Sequence, residues 1–387
     1  MQTTDPRDVG IDPKRLEHFF TVAERKVQEG FLFGGAFLLA RHGKVAAARA
    51  VGQAETQKGR AAKPDDVFCL FSATKPIAAT TVLMKVDRGD LRLFDKITDY
   101  IPEFGAAGKK NITIAQTLTH TAGFPTLAPD WTVPKWADWD ATIARICAQP
   151  LEYEPGTAVH YHGLTGLWIL AEVVRRVDGG KRSYAQICAE DLFQPLNIRD
   201  THMGVRSDMA ERRVPVQALD KGGAPFPTEF LEMFNLPEVQ TAAIPGGGGY
   251  ATVFDMARFY QMWLNGGELD GVRILSPAMV ELATTIHTGD MPDRLFEPIR
   301  VARGWSQAPA NRGLGFWVRG SGLFPTYFGS LASPHTFGHA GAGSTMAWAD
   351  PAQDLVFVGL TSGLLEESRS LTRWHLLSDL AHACVVD

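Results

Sequence analysis

The chain has 387 residues, of which 45% are hydrophobic and 21% are charged, so it can form one large or two medium domains with an ordinary apolar core. Its formal net charge of −5 gives no reason to expect a nucleic acid or an anionic membrane surface as partner. The four cysteines are widely separated and form no C-x-x-C pair, which argues against a zinc ribbon or a dithiol redox site and suits a reducing compartment. The N-terminal stretch lacks the apolar core of a signal peptide, and no run of about 18 apolar residues occurs, so we expect a cytoplasmic protein that does not bind membranes.

The N-terminal part of the chain predicts a helix followed by a β-hairpin. Apolar residues at helical spacing, with a proline in the first turn, predict a helix from Asp12 to about Gly30. Apolar runs at 34–40 and 45–51, separated by a short turn, predict two antiparallel strands. A further helix is expected to begin within a residue or two of Ser72, because Pro76 suits a first turn, and to end near Gly89.

The pattern then becomes helical and returns to strands near the C-terminus. Helices are predicted at 140–149, 164–177, 184–192, 253–265 and 371–385. Strands are predicted at 313–319, 335–339, 345–350 and 355–361. The simplest layout is an α/β domain of residues 1–71 and 245–387, whose sheet is built from both chain ends, and a mainly helical domain of residues 72–244. We expect the functional site at the interface of the two.

A serine and a lysine three residues apart stand at the head of the helix that begins near Ser72. Residues i and i+3 share a helix face, so Ser72 and Lys75 place a hydroxyl beside an amine. A serine becomes a good nucleophile when a neighbouring base takes its proton, and a lysine is such a base when its pKa is lowered. The four-residue pattern recurs by chance, and alone it also fits a solvated first turn of an ordinary helix.

Two later stretches bear on this pair. Tyr161 lies on a loop before the helix at 164–177, where its phenol could relay protons or its ring could simply be packed. The small residues at 338–344, at a predicted strand edge, would let a ligand approach the backbone, and an N–H there could pair with that of Ser72 as an oxyanion hole. The loop at 118–123 is interpreted as structural.

Together these stretches resemble the serine β-lactamase and penicillin-binding-protein superfamily, and within it the class C-like branch that includes family VIII carboxylesterases. The resemblance runs from about Asp12 to the C-terminus and implies a β-lactamase-like fold, with an antiparallel sheet flanked by helices and an all-helical insertion. It implies that Ser72 is the acylated nucleophile, Lys75 its general base and Tyr161 a proton-transfer group. It further implies an oxyanion hole from the backbone N–H groups of Ser72 and Ala342.

Two positions depart from the β-lactamase pattern. Gly163 stands where that pattern has an asparagine, and His339, with Gly341 two residues on, stands in place of the lysine of the K-T-G segment. Those side chains meet the amide and the carboxylate of β-lactam drugs, so we expect an esterase that prefers short-chain acyl esters. The alternatives are a β-lactamase, a D-amino peptidase or amidase, an acyltransferase to an alcohol, or a penicillin-binding sensor without turnover.

The remaining expectations concern the substrate and metals. His339 and Gly341 are expected to bind substrate, and Phe124 and Trp131 either line the acyl or alcohol pocket or cover the core. Two histidine pairs, His160 with His162 and His335 with His339, lack a third ligand, so no metal site is predicted, and no cofactor is expected. The expected partner is a small-molecule ester, and the sequence does not indicate an oligomeric state.

Overall fold

A computed structural model describes residues 1–125, 136–221, 227–291 and 293–387. Its strands are β1 (Gln2–Thr3), β2 (Gly34–Arg41), β3 (Lys44–Glu55), β4 (Arg60–Ala61), β5 (Phe68–Cys69), β6 (His202–Met203), β7 (Gly249–Ala251), β8 (Glu268–Leu269), β9 (Val272–Arg273), β10 (Trp317–Val318), β11 (Phe337–Gly341), β12 (Thr345–Asp350) and β13 (Leu355–Ser362). Its helices are α1 (Pro13–Gln28), α2 (Lys75–Asp87), α3 (Ile114–Leu118), α4 (Trp139–Ala148), α5 (Thr165–Val177), α6 (Tyr184–Cys188), α7 (Thr228–Leu231), α8 (Pro237–Thr241), α9 (Val253–Leu264), α10 (Pro277–Thr284), α11 (Glu297–Arg303) and α12 (Glu367–His382).

The main sheet joins the two ends of the chain, as the sequence predicted. Its order is β1-β3-β2-β13-β12-β11-β10, with β4 paired to β3. The central pairing of β2 with β13 is antiparallel and continuous over eight residue pairs, from Gly34 with Ser362 to Arg41 with Leu355. The described strands pair antiparallel except at the edge, where the two residues of β1 run parallel to β3.

Helices cover both faces of this sheet. On one face, α1 and α12 pack through aromatic side chains: the ring centroids of Phe19 and Phe37 are 5.7 Å apart, and those of Phe37 and Trp374 are 6.4 Å apart. On the other face, α9 packs on β12 and β13, and a second core continues from there into α2 and α5. Burial on two faces explains why β2 and β13 are buried along their whole length.

The segment between residues 72 and 244 is not entirely helical. It contains β6, which pairs with β7 in a small sheet of order β5-β7-β6. Strands of two or three residues are too short to produce an alternating pattern, so sequence periodicity could not predict them. The expectation of an all-helical insertion was wrong at this point, and the division into two domains stays a prediction.

Several element boundaries differ from the prediction, and two of them lie near the walls of the site. The strand expected at 313–319 is reduced to β10, because Gly315 (φ 85°) and Gly320 (φ 64°) adopt left-handed turns on either side of it. The last helix begins at Glu367, four residues before the predicted start. The Glu366 side chain caps it by accepting from the N–H groups of Ser368 and Arg369. The described residues contain no helix that is long and apolar enough to cross a membrane.

Candidate active site

Ser72 lies in a short helical turn that leads into α2. A 3-10 turn spans Phe71–Thr74, and α2 continues from Lys75, so the helix begins where Pro76 and the residue spacing predicted. The first N–H groups of a helix have no partner within it, which leaves them available to a ligand. Ser72 is partly exposed and lines two cavities.

The turn before Ser72 is held in an uncommon conformation. Phe71 has φ of 45°, in the left-handed region that residues other than glycine rarely adopt. Its ring packs edge-on against Phe234, with centroids 5.0 Å apart, and the residue is 4% exposed. The Thr345 hydroxyl of β12 donates a hydrogen bond of 2.9 Å to the Leu70 carbonyl. Tertiary contacts therefore impose the backbone geometry that presents Ser72.

The Lys75 amine contacts Ser72 and two main-chain carbonyls. Its Nζ lies 3.0 Å from Ser72 Oγ and donates to Gly163 O at 2.5 Å and to Gly246 O at 2.7 Å. Lys75 is 1% exposed, and this burial lowers its pKa well below the ordinary value. A neutral amine has two N–H donors and one lone pair. With both donors on the carbonyls, the lone pair is left facing the Ser72 hydroxyl, which is the arrangement of a general base.

Close approach of two loops brings these carbonyls together. Gly163 lies two residues before the start of α5, and Gly246 lies on the loop before β7. A Cβ at Gly246 would stand 3.0 Å from Gly163 O and 3.0 Å from Leu164 Cα, tighter than most side-chain contacts. Glycine at 246 therefore lets the two chain segments meet around Lys75.

Tyr161 completes the cluster that the sequence predicted. Its ring centroid is 4.8 Å from Lys75 Nζ, and the residue is 3% exposed. Burial raises the pKa of the Tyr161 phenol, and its hydrogen bond with Ser72 opposes that rise. The phenol is therefore protonated at neutral pH and interacts with Ser72, and its ring lies beside the Lys75 amine, so Tyr161 is placed to pass a proton to a leaving group.

The loop at 118–123 positions Tyr161. His120, with φ of 60°, accepts a hydrogen bond of 3.0 Å at its carbonyl from the His160 N–H. Its Nδ1 accepts another of 3.1 Å from the His162 N–H, and its ring lies 4.7 Å from that of Tyr161. These bonds clamp the backbone on both sides of Tyr161. The sequence analysis treated this loop as structural and did not connect it with the tyrosine.

His339 is buried on β11 and does not face either cavity. Its Nδ1 donates to the Ala340 carbonyl at 2.6 Å, and its ring lies 4.4 Å from that of Trp317. The residue is 1% exposed, and burial lowers its pKa well below the ordinary value. His339 is therefore a neutral imidazole at neutral pH. The predicted contact of its side chain with substrate stays a prediction.

Gly341 is the last residue of β11, and Ala342 follows it. A Cβ at Gly341 would overlap both Leu70 O and Thr345 Oγ1, so glycine is needed for β11 to pack against the turn before Ser72. Both residues line a cavity that also contains Ser72. The predicted oxyanion hole of the Ser72 and Ala342 N–H groups requires this proximity.

Two cavities meet at Ser72 and Ala342. The first, named here the Phe234 cavity, is mostly apolar. It is lined by Phe71, Ser72, Gly163, Leu164, Phe230, Leu231, Phe234, Gly246, Gly247 and Ala342. The second is named the Glu367 cavity. It is lined by Ser72, Tyr161, Leu295, Phe296, Trp317, Tyr327, Ala340, Gly341, Ala342 and Glu367. Two cavities on either side of the nucleophile can hold the two halves of an ester.

The aromatic residues that the sequence singled out are placed differently. Phe124 is 1% exposed and stacks on His162 with centroids 4.4 Å apart, so it packs behind the site and lines neither cavity. Trp131 lies outside the described residues. Apart from Tyr161, the aromatic residues that do line the cavities were missed, because they come from distant segments whose patterns indicate only packing. The Glu366-Glu367 pair was a usable signal, since acidic residues favour a helix N-terminus.

Within the described residues, no group of three or more histidine, cysteine, aspartate or glutamate side chains is arranged to hold a metal ion. Of the histidine pairs considered from the sequence, His160 has its Nδ1 3.5 Å from a Glu152 carboxylate oxygen, and His162 stacks on Phe124.

Comparison with known proteins gives similarity along nearly the whole chain. The beta-lactamase family model matches residues 20–381. The chain is 28% identical to the esterase/beta-lactamase LipL of Mycobacterium tuberculosis, over 78% of this chain and 70% of that protein. It is 30% identical to the esterase EstB of Burkholderia gladioli, over 66% of each. A solved family VIII carboxylesterase superimposes with a TM-score of 0.79 at 26% identity, covering 97% of this chain and 99% of that one.

Proposed function

Because the chain belongs to the beta-lactamase family of serine hydrolases, we propose that it is a carboxylesterase that cleaves short-chain acyl esters through an acyl-enzyme on Ser72. The observation that carries this proposal is the buried Lys75 amine, which lies 3.0 Å from the Ser72 hydroxyl and is held by two main-chain carbonyls. Similarity to the esterases LipL and EstB and to a family VIII carboxylesterase supports the choice of esters.

In the acylation step, Lys75 Nζ takes the proton from Ser72 Oγ as that oxygen attacks the ester carbonyl carbon. The carbonyl oxygen gains negative charge and is stabilised by the N–H groups of Ser72 and Ala342. Collapse of the tetrahedral intermediate breaks the bond to the alcohol oxygen. The leaving alkoxide takes a proton from Tyr161, which is replenished by the Lys75 ammonium, so Lys75 ends the step neutral.

In the deacylation step, a water molecule takes the place of the alcohol. It loses a proton to the Tyr161 and Lys75 pair as its oxygen attacks the acyl carbon, and the proton returns to Ser72 Oγ when the acid leaves. Since Tyr161 lines the Glu367 cavity, the alcohol leaves from that side. The acyl chain then occupies the Phe234 cavity.

The preference for esters over β-lactams follows from what the site lacks. A β-lactam brings an amide side chain and a carboxylate, which need a hydrogen-bonding partner and a cation. Gly163 has no side chain, and His339 is buried and neutral, so neither position supplies these partners. Polar ligand groups left unpaired cost about 1–3 kcal/mol each, whereas a simple ester carries no such groups.

The test compares kcat/KM for p-nitrophenyl butyrate with that for nitrocefin, a chromogenic cephalosporin. We expect the ester to be favoured by at least about 100-fold, from two unpaired groups on the lactam. The Ser72→Ala variant should turn over neither substrate, and a fluorophosphonate should label Ser72 in the wild type. Equal or higher values for nitrocefin would overturn the esterase assignment, and labelling at another serine would overturn the nucleophile.

A further inference from the structure

The Glu367 cavity contains a carboxyl group that has no cationic partner. Glu367 is partly buried and accepts a hydrogen bond from the Tyr327 hydroxyl. Among the ion pairs of the described residues, none involves Glu367, although its neighbour Glu366 lies 3.6 Å from Arg303. A buried carboxylate is ordinarily paired with a cation, so its place on the wall of a cavity beside Ser72 calls for an explanation.

The surroundings of Glu367 favour a positive charge. Burial raises the pKa of its carboxyl to about 7, and the negative charges of Glu366 and Asp293 add to that rise. The guanidinium of Arg312, whose central carbon lies 5.0 Å from the Trp317 ring centroid, is already paired with Asp293. A cation entering the cavity would therefore meet a carboxylate whose ionised form it stabilises.

Aromatic rings form the rest of the wall. Trp317 and Tyr327 have centroids 5.3 Å apart, and Phe296 stands edge-on to Trp317 at 5.8 Å. Tyr161 adjoins the same group, with its centroid 6.3 Å from that of Trp317. Ring faces attract cations through their quadrupoles, and several rings around one carboxylate make a site for an ammonium group.

We propose that the Glu367 cavity binds a cationic group, a quaternary or protonated amine, on the alcohol part of the ester. The assignment to the alcohol part rests on the proposed function, in which Tyr161 protonates the leaving alkoxide. A neutral apolar group would fill the aromatic walls but would leave the Glu367 carboxyl with its hydrogen bond from Tyr327 and no cationic partner. A cation satisfies the carboxylate and the ring faces together.

The test uses two esters that differ in charge and hardly in shape. Butyrylcholine carries a trimethylammonium group, and 3,3-dimethylbutyl butyrate carries a carbon in place of that nitrogen. We expect wild-type kcat/KM to favour butyrylcholine by about tenfold or more. In Glu367→Gln, which keeps the side-chain length and the contact with Tyr327, this ratio should fall toward one. A wild-type ratio near one, or an unchanged ratio in Glu367→Gln, would overturn the proposal.

A matched control separates local contact from general charge. Glu297 is exposed at the start of α11, beside Phe296, and does not line the cavity. Glu297→Gln removes the same charge from nearby and should leave the ratio at the wild-type value. An equal loss in both variants would mean that a long-range field sets the preference, which would overturn the assignment to Glu367.

A binding measurement separates this inference from the proposed function. Calorimetric titration of Ser72→Ala with choline requires no turnover, and we expect binding that the additional Glu367→Gln substitution weakens by about tenfold or more. If no ester were hydrolysed but choline bound in this manner, the cavity assignment would stand while the esterase function failed. If esters were hydrolysed and choline did not bind, the reverse would hold.

Discussion

Exchanging lysine for arginine at position 75 tests whether this side chain acts as a proton acceptor or only as a fixed positive charge. Lys75→Arg keeps the charge, but a guanidinium cannot accept a proton near neutral pH. We expect kcat/KM for p-nitrophenyl butyrate to fall by at least about 100-fold, as for loss of a general base. Lys85→Arg is the matched control, since Lys85 is 8% exposed on the same helix and pairs with Asp178 at 3.3 Å. Near-wild-type activity in Lys75→Arg would rule out the base.

The sequence could predict the side-chain pair of Ser72 and Lys75 but not the main-chain groups that hold the lysine. The three-residue spacing placed Ser72 and Lys75 on one helical face, and the structure brings them to 3.0 Å. The carbonyls of Gly163 and Gly246, which take both amine donors of a neutral Lys75, could not be predicted in this way. They are main-chain groups, which every residue carries, and only the folded chain selects two of them.

Among the elements, β12 supports the turn that presents Ser72. Thr345→Val removes the hydroxyl that donates to Leu70 O, which still accepts from the Ala73 N–H at 3.1 Å. We expect a loss of about 1 kcal/mol in the free energy of unfolding, together with a lower kcat as the turn loosens. Thermal denaturation measures the loss of stability, and ester kinetics measure the change in kcat.

The control for this prediction is Thr117→Val in α3. Thr117 is 0% exposed, as Thr345 is, and its hydroxyl donates to the Thr113 carbonyl at 3.0 Å, within its own helix. It should lower stability without changing kcat. If the two variants had the same kinetics, β12 would contribute to stability alone.

The prediction of elements succeeded where burial produces a long pattern and failed where the chain turns sharply. The strands β2 and β13 are continuous apolar runs, and their positions were predicted within two residues. The start of α12 was missed because Leu371 is the first residue of its apolar pattern, whereas the cap four and five positions earlier is polar. Glu367, the first residue of this helix, was not among the predicted site residues.

In the whole molecule, the Phe234 cavity is built from segments far apart in sequence. Phe234→Ala should enlarge it and shift the preference toward longer acyl chains, seen as a higher ratio of kcat/KM for p-nitrophenyl octanoate to that for the butyrate. Phe234 is 2% exposed, so the free energy of unfolding should also fall by about 3–5 kcal/mol. Phe104→Ala, at a residue 0% exposed and outside both cavities, should lower stability without changing the ratio. An unchanged ratio in Phe234→Ala would place the acyl chain elsewhere.

The substrate-binding residues were the least predictable part of the site, because distant segments of the chain form the cavity walls. The walls of the two cavities come from residues 71–72, 163–164, 230–234, 295–296 and 367, among others, which meet only after folding. Phe124 was selected from the sequence because it lies near the tryptophan-rich stretch, yet it packs against His162 in the core. Aromatic residues carry the same signal in a core as in a pocket.

The bonds around Lys75 have a consequence for how such a protein can change. Both carbonyls that hold its amine belong to the backbone, so side-chain substitutions leave them in place as long as the two loops keep their paths. The two cavities share Ser72 and Ala342, and the remaining wall residues differ between them. A substitution at a wall residue that neither transfers protons nor holds Lys75, such as Leu231 or Leu295, can therefore alter which acyl group or which alcohol is accepted while the proton-transfer chemistry stays the same. Specificity and reactivity are therefore separable at these wall residues, and successive substitutions there can change which substrates are accepted.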